Sequence, residues 1–265
     1  MPTIHVDDID THYQVSGSGE PLLLIHGLGS STRDWEYNLP ALVKHFKVVA
    51  YDVRGHGLTS RPRGPYSISL FARDAAGLLD KLGIGPAHVV GVSMGGMIAL
   101  QLALDEPRLV KSLTMTNSGP RLDLDGLRDK LMLWTRLFLV RIMGMRMVGR
   151  KLAGEMFPDP GQEEMRDKVI ERWAENDKTC YIESIKAIQG CNLTERLREI
   201  RCPVLEIRGD CDETSLSVSD EQLAAIPDAR RFVINGSRHA TPVDSAEEFN
   251  RRLIEFLSAR SGEGA

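Results

Sequence analysis

Gly91-Val92-Ser93-Met94-Gly95-Gly96 stands between a β-rich run, His88 to Val92, and a helical run, Met97 to Leu104. The rest of the chain is organised around this junction. A serine on so tight a strand-to-helix turn is driven into sparsely populated dihedrals. Glycine two positions to either side removes the Cβ atoms that would collide with its neighbours. Such a turn lifts the hydroxyl to the carboxyl edge of a sheet, where the N-terminus of the next helix offers free amides to developing negative charge.

The same strand-then-helix rhythm runs on both sides. Leu22 to Ile25, Val48 to Tyr51, Ser112 to Thr116, Val204 to Arg208 and Arg231 to Ile234 are short apolar runs closed by Gly, Pro, Asp or Asn. Between them lie segments of helical period, an alternation that predicts parallel strands joined by crossover helices. Thr3 to Val6 and Thr11 to Val15 read as an antiparallel hairpin at the sheet edge. Ser67 is placed to cap a helix carrying Phe71, Leu78 and Leu82, while Ser219 with Gln222 and Ser245 with Glu248 have capping-box spacing. The expected class is α/β, a mostly parallel central sheet with helices on both faces.

The rhythm breaks at 121–197, where only helical periodicity appears. This stretch is expected to be a helical cap inserted in a core made of 1–120 and 198–260, with 261–265 a disordered tail. Six of the ten methionines fall in it. Flexible thioethers suit an apolar pocket, although ordinary helix packing accounts for them equally well. Arg136, Arg141, Arg146, Arg150 and Lys151 share the region, as a solvated face or a basic amphipathic surface.

A serine hydroxyl is a poor nucleophile until a base takes its proton. Downstream of Ser93 the sequence holds one histidine, His239, in a loop just past Arg231 to Ile234. Two carboxylates, Asp210 and Asp212, close the preceding strand. His56, in Gly55-His56-Gly57, precedes the serine and reads as part of a bracing loop. His26-Gly27-Leu28-Gly29 follows another strand directly. Its backbone can turn so that the amide of Leu28 converges with that of Met94 on a carbonyl oxygen becoming an alkoxide.

Composition closes off other classes. A net charge of −4 over 265 residues, with 26% charged, gives no basic field for nucleic acid. The N-terminus carries three aspartates in its first ten residues and no secretory pattern, and no apolar run is long enough for stable membrane insertion. The expectation is a cytoplasmic protein needing neither cofactor nor metal. Its partner would be a small, apolar ester or lactone, and a homodimer is allowed. Four widely spaced cysteines read as reduced thiols.

With these motifs assembled, the chain resembles the α/β-hydrolase superfamily over nearly its whole length. His26-Gly27-Leu28-Gly29, Asp52-x-Arg54-Gly55-His56-Gly57, Gly91-x-Ser93-Met94-Gly95-Gly96, Gly209-x-x-Asp212 and His239 stand in family order. The resemblance implies the α/β-hydrolase fold and a triad of Ser93, Asp212 and His239. Asp212 outranks Asp210 because the family acid usually closes a Gly-x-x-Asp pattern. Glu213 to Leu216 follow it where the family commonly has a proline. Gly55-His56-Gly57-Leu58-Thr59-Ser60 is most similar to bacterial carboxylesterases and to hydrolases like 3-oxoadipate enol-lactonase. The resemblance therefore implies cleavage of a carboxylic ester or lactone. Carbon-carbon bond hydrolases and non-catalytic ligand receptors on the same fold are the alternatives.

Overall fold

Eight strands hydrogen-bond into one sheet in the computed structural model, which describes residues 2–123, 126–212 and 218–260. The strands are β1 (Thr3–Val6), β2 (Ile9–Ser16), β3 (Glu20–Ile25), β4 (Phe46–Tyr51), β5 (Ala87–Val92), β6 (Val110–Thr116), β7 (Val204–Gly209) and β8 (Ala229–Ile234). Their spatial order is β1-β2-β4-β3-β5-β6-β7-β8. Only the β1–β2 and β2–β4 pairs are antiparallel. β3 pairs with β4 on one side and β5 on the other, so the winding direction reverses there, and a ligand crevice opens at the carboxyl ends of such neighbours.

Ten α-helices, besides three short 3-10 turns, accompany the strands among the described residues: α1 (Leu39–Leu42), α2 (Ile68–Leu82), α3 (Met94–Asp105), α4 (Leu127–Met143), α5 (Met145–Met156), α6 (Glu163–Ala174), α7 (Lys178–Gln189), α8 (Asp220–Ala224), α9 (Thr241–Asp244) and α10 (Ala246–Ser258). The central strands are apolar on both sides because both sides are covered. Leu23, Ile25 and Val89 pack with Phe71, Leu78 and Met97 on one face, and Leu22, Leu24 and Val90 with Phe249 and Leu253 on the other. α4 to α7 fall between β6 and β7, and an isolated antiparallel bridge from Arg121 to Asn192 ties the two ends of this insertion together.

Local signals hold with one exception. Ser67 accepts the Leu70 amide at 3.0 Å, and Ser219 with Gln222 forms a complete capping box. Ser245 does not cap α10. The Glu248 carboxylate that should reach back is held by Arg251 and Arg252 instead, one turn on, so ion pairing displaces the box. Residues 213–217, directly after Asp212, and the expected tail at 261–265 lie outside the described residues.

Candidate active site

Ser93 has φ 53° and ψ −120°, one of three non-glycine residues with positive φ among those described. Contacts on every side hold this strain in place. Its amide donates to the Thr116 carbonyl at 2.9 Å, and its carbonyl accepts the Ser118 hydroxyl at 2.7 Å. A Cβ on Gly91 would lie 2.1 Å from the Gly95 carbonyl oxygen, and one on Gly95 2.2 Å from that of Ile25. The flanking glycines are thus dictated by backbone passing against backbone.

Register brings the His26 loop beside this turn, because Ile25 pairs with Gly91. A Cβ on Gly27 would sit 3.5 Å from that of Ser93. Met94 is the first residue of α3, so its amide has no acceptor within the helix, and Leu28 lines the cavity in front of Ser93. His26 holds the loop's shape. Its Nε2 accepts the Val53 amide at 2.9 Å, which places the proton on Nδ1, 2.7 Å from the Gly27 carbonyl. The His26 ring meets that of His56 edge-on at 5.3 Å. Burial pushes both imidazoles below their ordinary range, His56 down to about 3, so both are neutral braces at pH 7.

His239 stands on the loop after β8, with Nδ1 at 3.1 and 3.2 Å from the two oxygens of Asp212. Asp212 is 4% exposed, and its position fixes the imidazole proton on Nδ1, leaving Nε2 as the acceptor. Asp210 instead closes the loop, its carboxylate accepting the Gly236 amide at 2.7 Å. Ser93, Asp212 and His239 all line one cavity of about 590 Å³, whose walls include Trp35, Leu139, Phe157 and Trp173. Of the six methionines in the insertion, Met132, Met156 and Met165 face this cavity.

Several residues that build the site carry no motif. Asn117, itself at φ 45°, lies at the end of β6. Its amide nitrogen reaches the carbonyls of Arg238 and His239 at 2.9 and 2.8 Å, and its oxygen accepts the Gly209 amide at 3.0 Å. It thus joins the end of β7 to the loop that carries His239. Asp244 accepts the Ser237 hydroxyl and the Arg238 amide, at 2.7 and 2.8 Å. From the insertion, Asn176 donates to the Gly29 carbonyl at 2.8 Å, and Arg172 pairs with Asp34 and Glu36. Asp52 and Arg54, which do belong to a motif, brace the neighbouring loops: Asp52 accepts the Thr32 and Leu58 amides, and buried Arg54 pairs with buried Asp74 at 2.7 Å.

Known proteins resemble this chain over its length. A protein of Azorhizobium caulinodans that carries the name carbamate hydrolase RutD is 33% identical over 97% of this chain and 98% of its own length. An Acinetobacter baylyi protein named 3-oxoadipate enol-lactonase 2 is 27% identical over 95% of this chain and 94% of its own. The crystal structure of the enol-lactonase from Burkholderia xenovorans superposes with a TM-score of 0.89 at 26% identity, covering 97% of this chain and all of that one. The sequence profile of the alpha/beta hydrolase fold matches residues 20–246. Fold, family profile and relatives together establish that this chain belongs to the α/β-hydrolase family.

Proposed function

We propose that the chain is a serine-nucleophile hydrolase that cleaves a carboxylic ester or lactone through an acyl-enzyme, with Ser93, Asp212 and His239 as its triad. One observation carries the reading: the strained serine and the carboxylate-held histidine line the same apolar-walled cavity. His239 Nε2 takes the Ser93 proton as Oγ attacks the carbonyl carbon, and Asp212 offsets the imidazolium charge. The Leu28 and Met94 amides receive the oxyanion. The alcohol leaves with the proton from His239. Water then enters, His239 accepts its proton, and the carboxylic acid departs with Ser93 restored. These steps require neither cofactor nor metal. Residues 1–120 and 198–260 serve as the catalytic core and 121–197 as a cap whose apolar wall favours an apolar substrate.

A carbamate is the second reading, favoured by the name of the Azorhizobium caulinodans relative. Its carbonyl is open to the same attack. Steady-state turnover of a short p-nitrophenyl ester, a lactone and an alkyl carbamate separates the cases. Fastest turnover of the ester or lactone, lost in Ser93→Ala, is expected. Turnover of the carbamate alone moves the assignment to the second reading, and no turnover of any favours a ligand receptor.

A further inference from the structure

The outward face of α4 is apolar and uncovered. Leu127, Leu131, Trp134, Phe138 and Ile142 recur every three or four residues, so they form one stripe along the helix. They are 84%, 65%, 72%, 60% and 69% exposed. The opposite face is already used by the protein: Val140 is fully buried, and Leu133, Arg136 and Leu139 line the cavity. Five large apolar side chains in a row, about 22 Å long at the helical rise, form a patch that soluble surfaces rarely leave open.

Charge says what covers it. Between 127 and 156 the sequence has seven basic residues and two acidic ones, in a chain whose net charge is −4. Helical spacing puts Lys130 and Arg141 along one border of the stripe, and Arg146 and Arg150 are exposed on α5. None of these four forms an ion pair among the described residues. A second copy is a poor occupant, because a two-fold contact of α4 with itself would press the two basic sets together.

We propose that α4 docks on an anionic lipid surface. The stripe lies in the boundary between headgroups and acyl chains, while Lys130, Arg141, Arg146 and Arg150 meet the lipid phosphates. Trp134 and Phe138 are the side-chain types that settle at such an interface. No helix among the described residues is long and apolar enough to cross a membrane, so this is attachment in the plane by one helix. Because the inner face of α4 walls the cavity, docking holds the cavity within about one helix diameter, ~10 Å, of the lipid.

Tryptophan emission tests this directly, because Trp35 and Trp173 are 2% and 8% exposed, leaving Trp134 as the exposed reporter. Vesicles of phosphatidylglycerol mixed with phosphatidylcholine should shift the emission to the blue and sediment the protein, an effect weakened by added salt. Phosphatidylcholine alone should do neither. Lys130→Glu with Arg141→Glu should weaken binding at least roughly 30-fold. Phe138→Glu with Ile142→Glu should abolish it, and both variants should keep wild-type turnover of a short soluble ester. Ser93→Ala should bind like the wild type, which makes the readout independent of the catalytic assignment. No binding to anionic vesicles, or equal binding to neutral ones, would overturn the proposal. So would a dimer in sedimentation equilibrium that Phe138→Glu dissociates.

Discussion

At Ser93 the backbone is bent against its own preference in a residue that lines the cavity, and the surrounding residues keep it there. Asp212→Asn preserves the shape of the pair but offers His239 an amide in place of a carboxylate, which favours the wrong tautomer. Turnover should fall by about 10⁴-fold with little change in KM, read from ester kinetics. Asn117→Ala removes the link between β7 and the histidine loop. A misplacement of the order of 1 Å costs about 10²-fold, so kcat should drop by about that factor while KM holds. The three residues of the proposed triad stand out in the sequence because they sit in short local patterns: a glycine-flanked serine, a Gly-x-x-Asp, a lone downstream histidine. Asn117 and Asp244 do not. Asn117 acts across more than 90 residues of chain, and Asp244 at a helix end looks like any capping aspartate. His26 was seen only as part of a glycine loop, since its bond to the Val53 amide depends on β3 and β4 lying side by side.

Among elements, the strand and helix assignments were readable wherever apolar period and punctuation agreed, as in α2 and β3. The N-termini separate local chemistry from tertiary competition. Ser67→Ala should cost about 1 kcal/mol, because its oxygen satisfies an otherwise orphaned amide. Ser245→Ala should be close to neutral, because Arg251 and Arg252 hold the Glu248 carboxylate. Urea unfolding of the two variants checks the difference. The outward apolar stripe of α4 was also present in the sequence but had no visible direction there. Only the packing of Val140 and Leu133 inward shows which residues are left facing out.

Over the whole molecule, charged and titratable groups buried beside the sheet set how stability responds to their mutation and to pH. Arg54→Ala would leave Asp74, 2% exposed, without its partner, so a loss of about 3–5 kcal/mol is expected in thermal or urea unfolding. His26, His56 and His88 are buried, and burial holds each below the ordinary 6.5. A depressed imidazole stays neutral in the fold while the unfolded chain takes up a proton. Stability therefore falls as pH drops below 6.5, by up to about 1.4 kcal/mol per pH unit for each such group. For His56 the loss continues until about pH 3. Urea midpoints taken from about pH 7.5 down to about pH 5 should decline accordingly, and less steeply in His56→Gln. All of the proposed chemistry passes through a bond between a carbonyl carbon and one oxygen atom. Intact-protein mass spectrometry after exposure to a fluorophosphonate, which traps such an oxygen, puts this to the test. A single adduct mapping to Ser93 is expected, with its formation and ester turnover lost together in Ser93→Ala. An adduct at another residue, or undiminished ester turnover in Ser93→Ala, would contradict it.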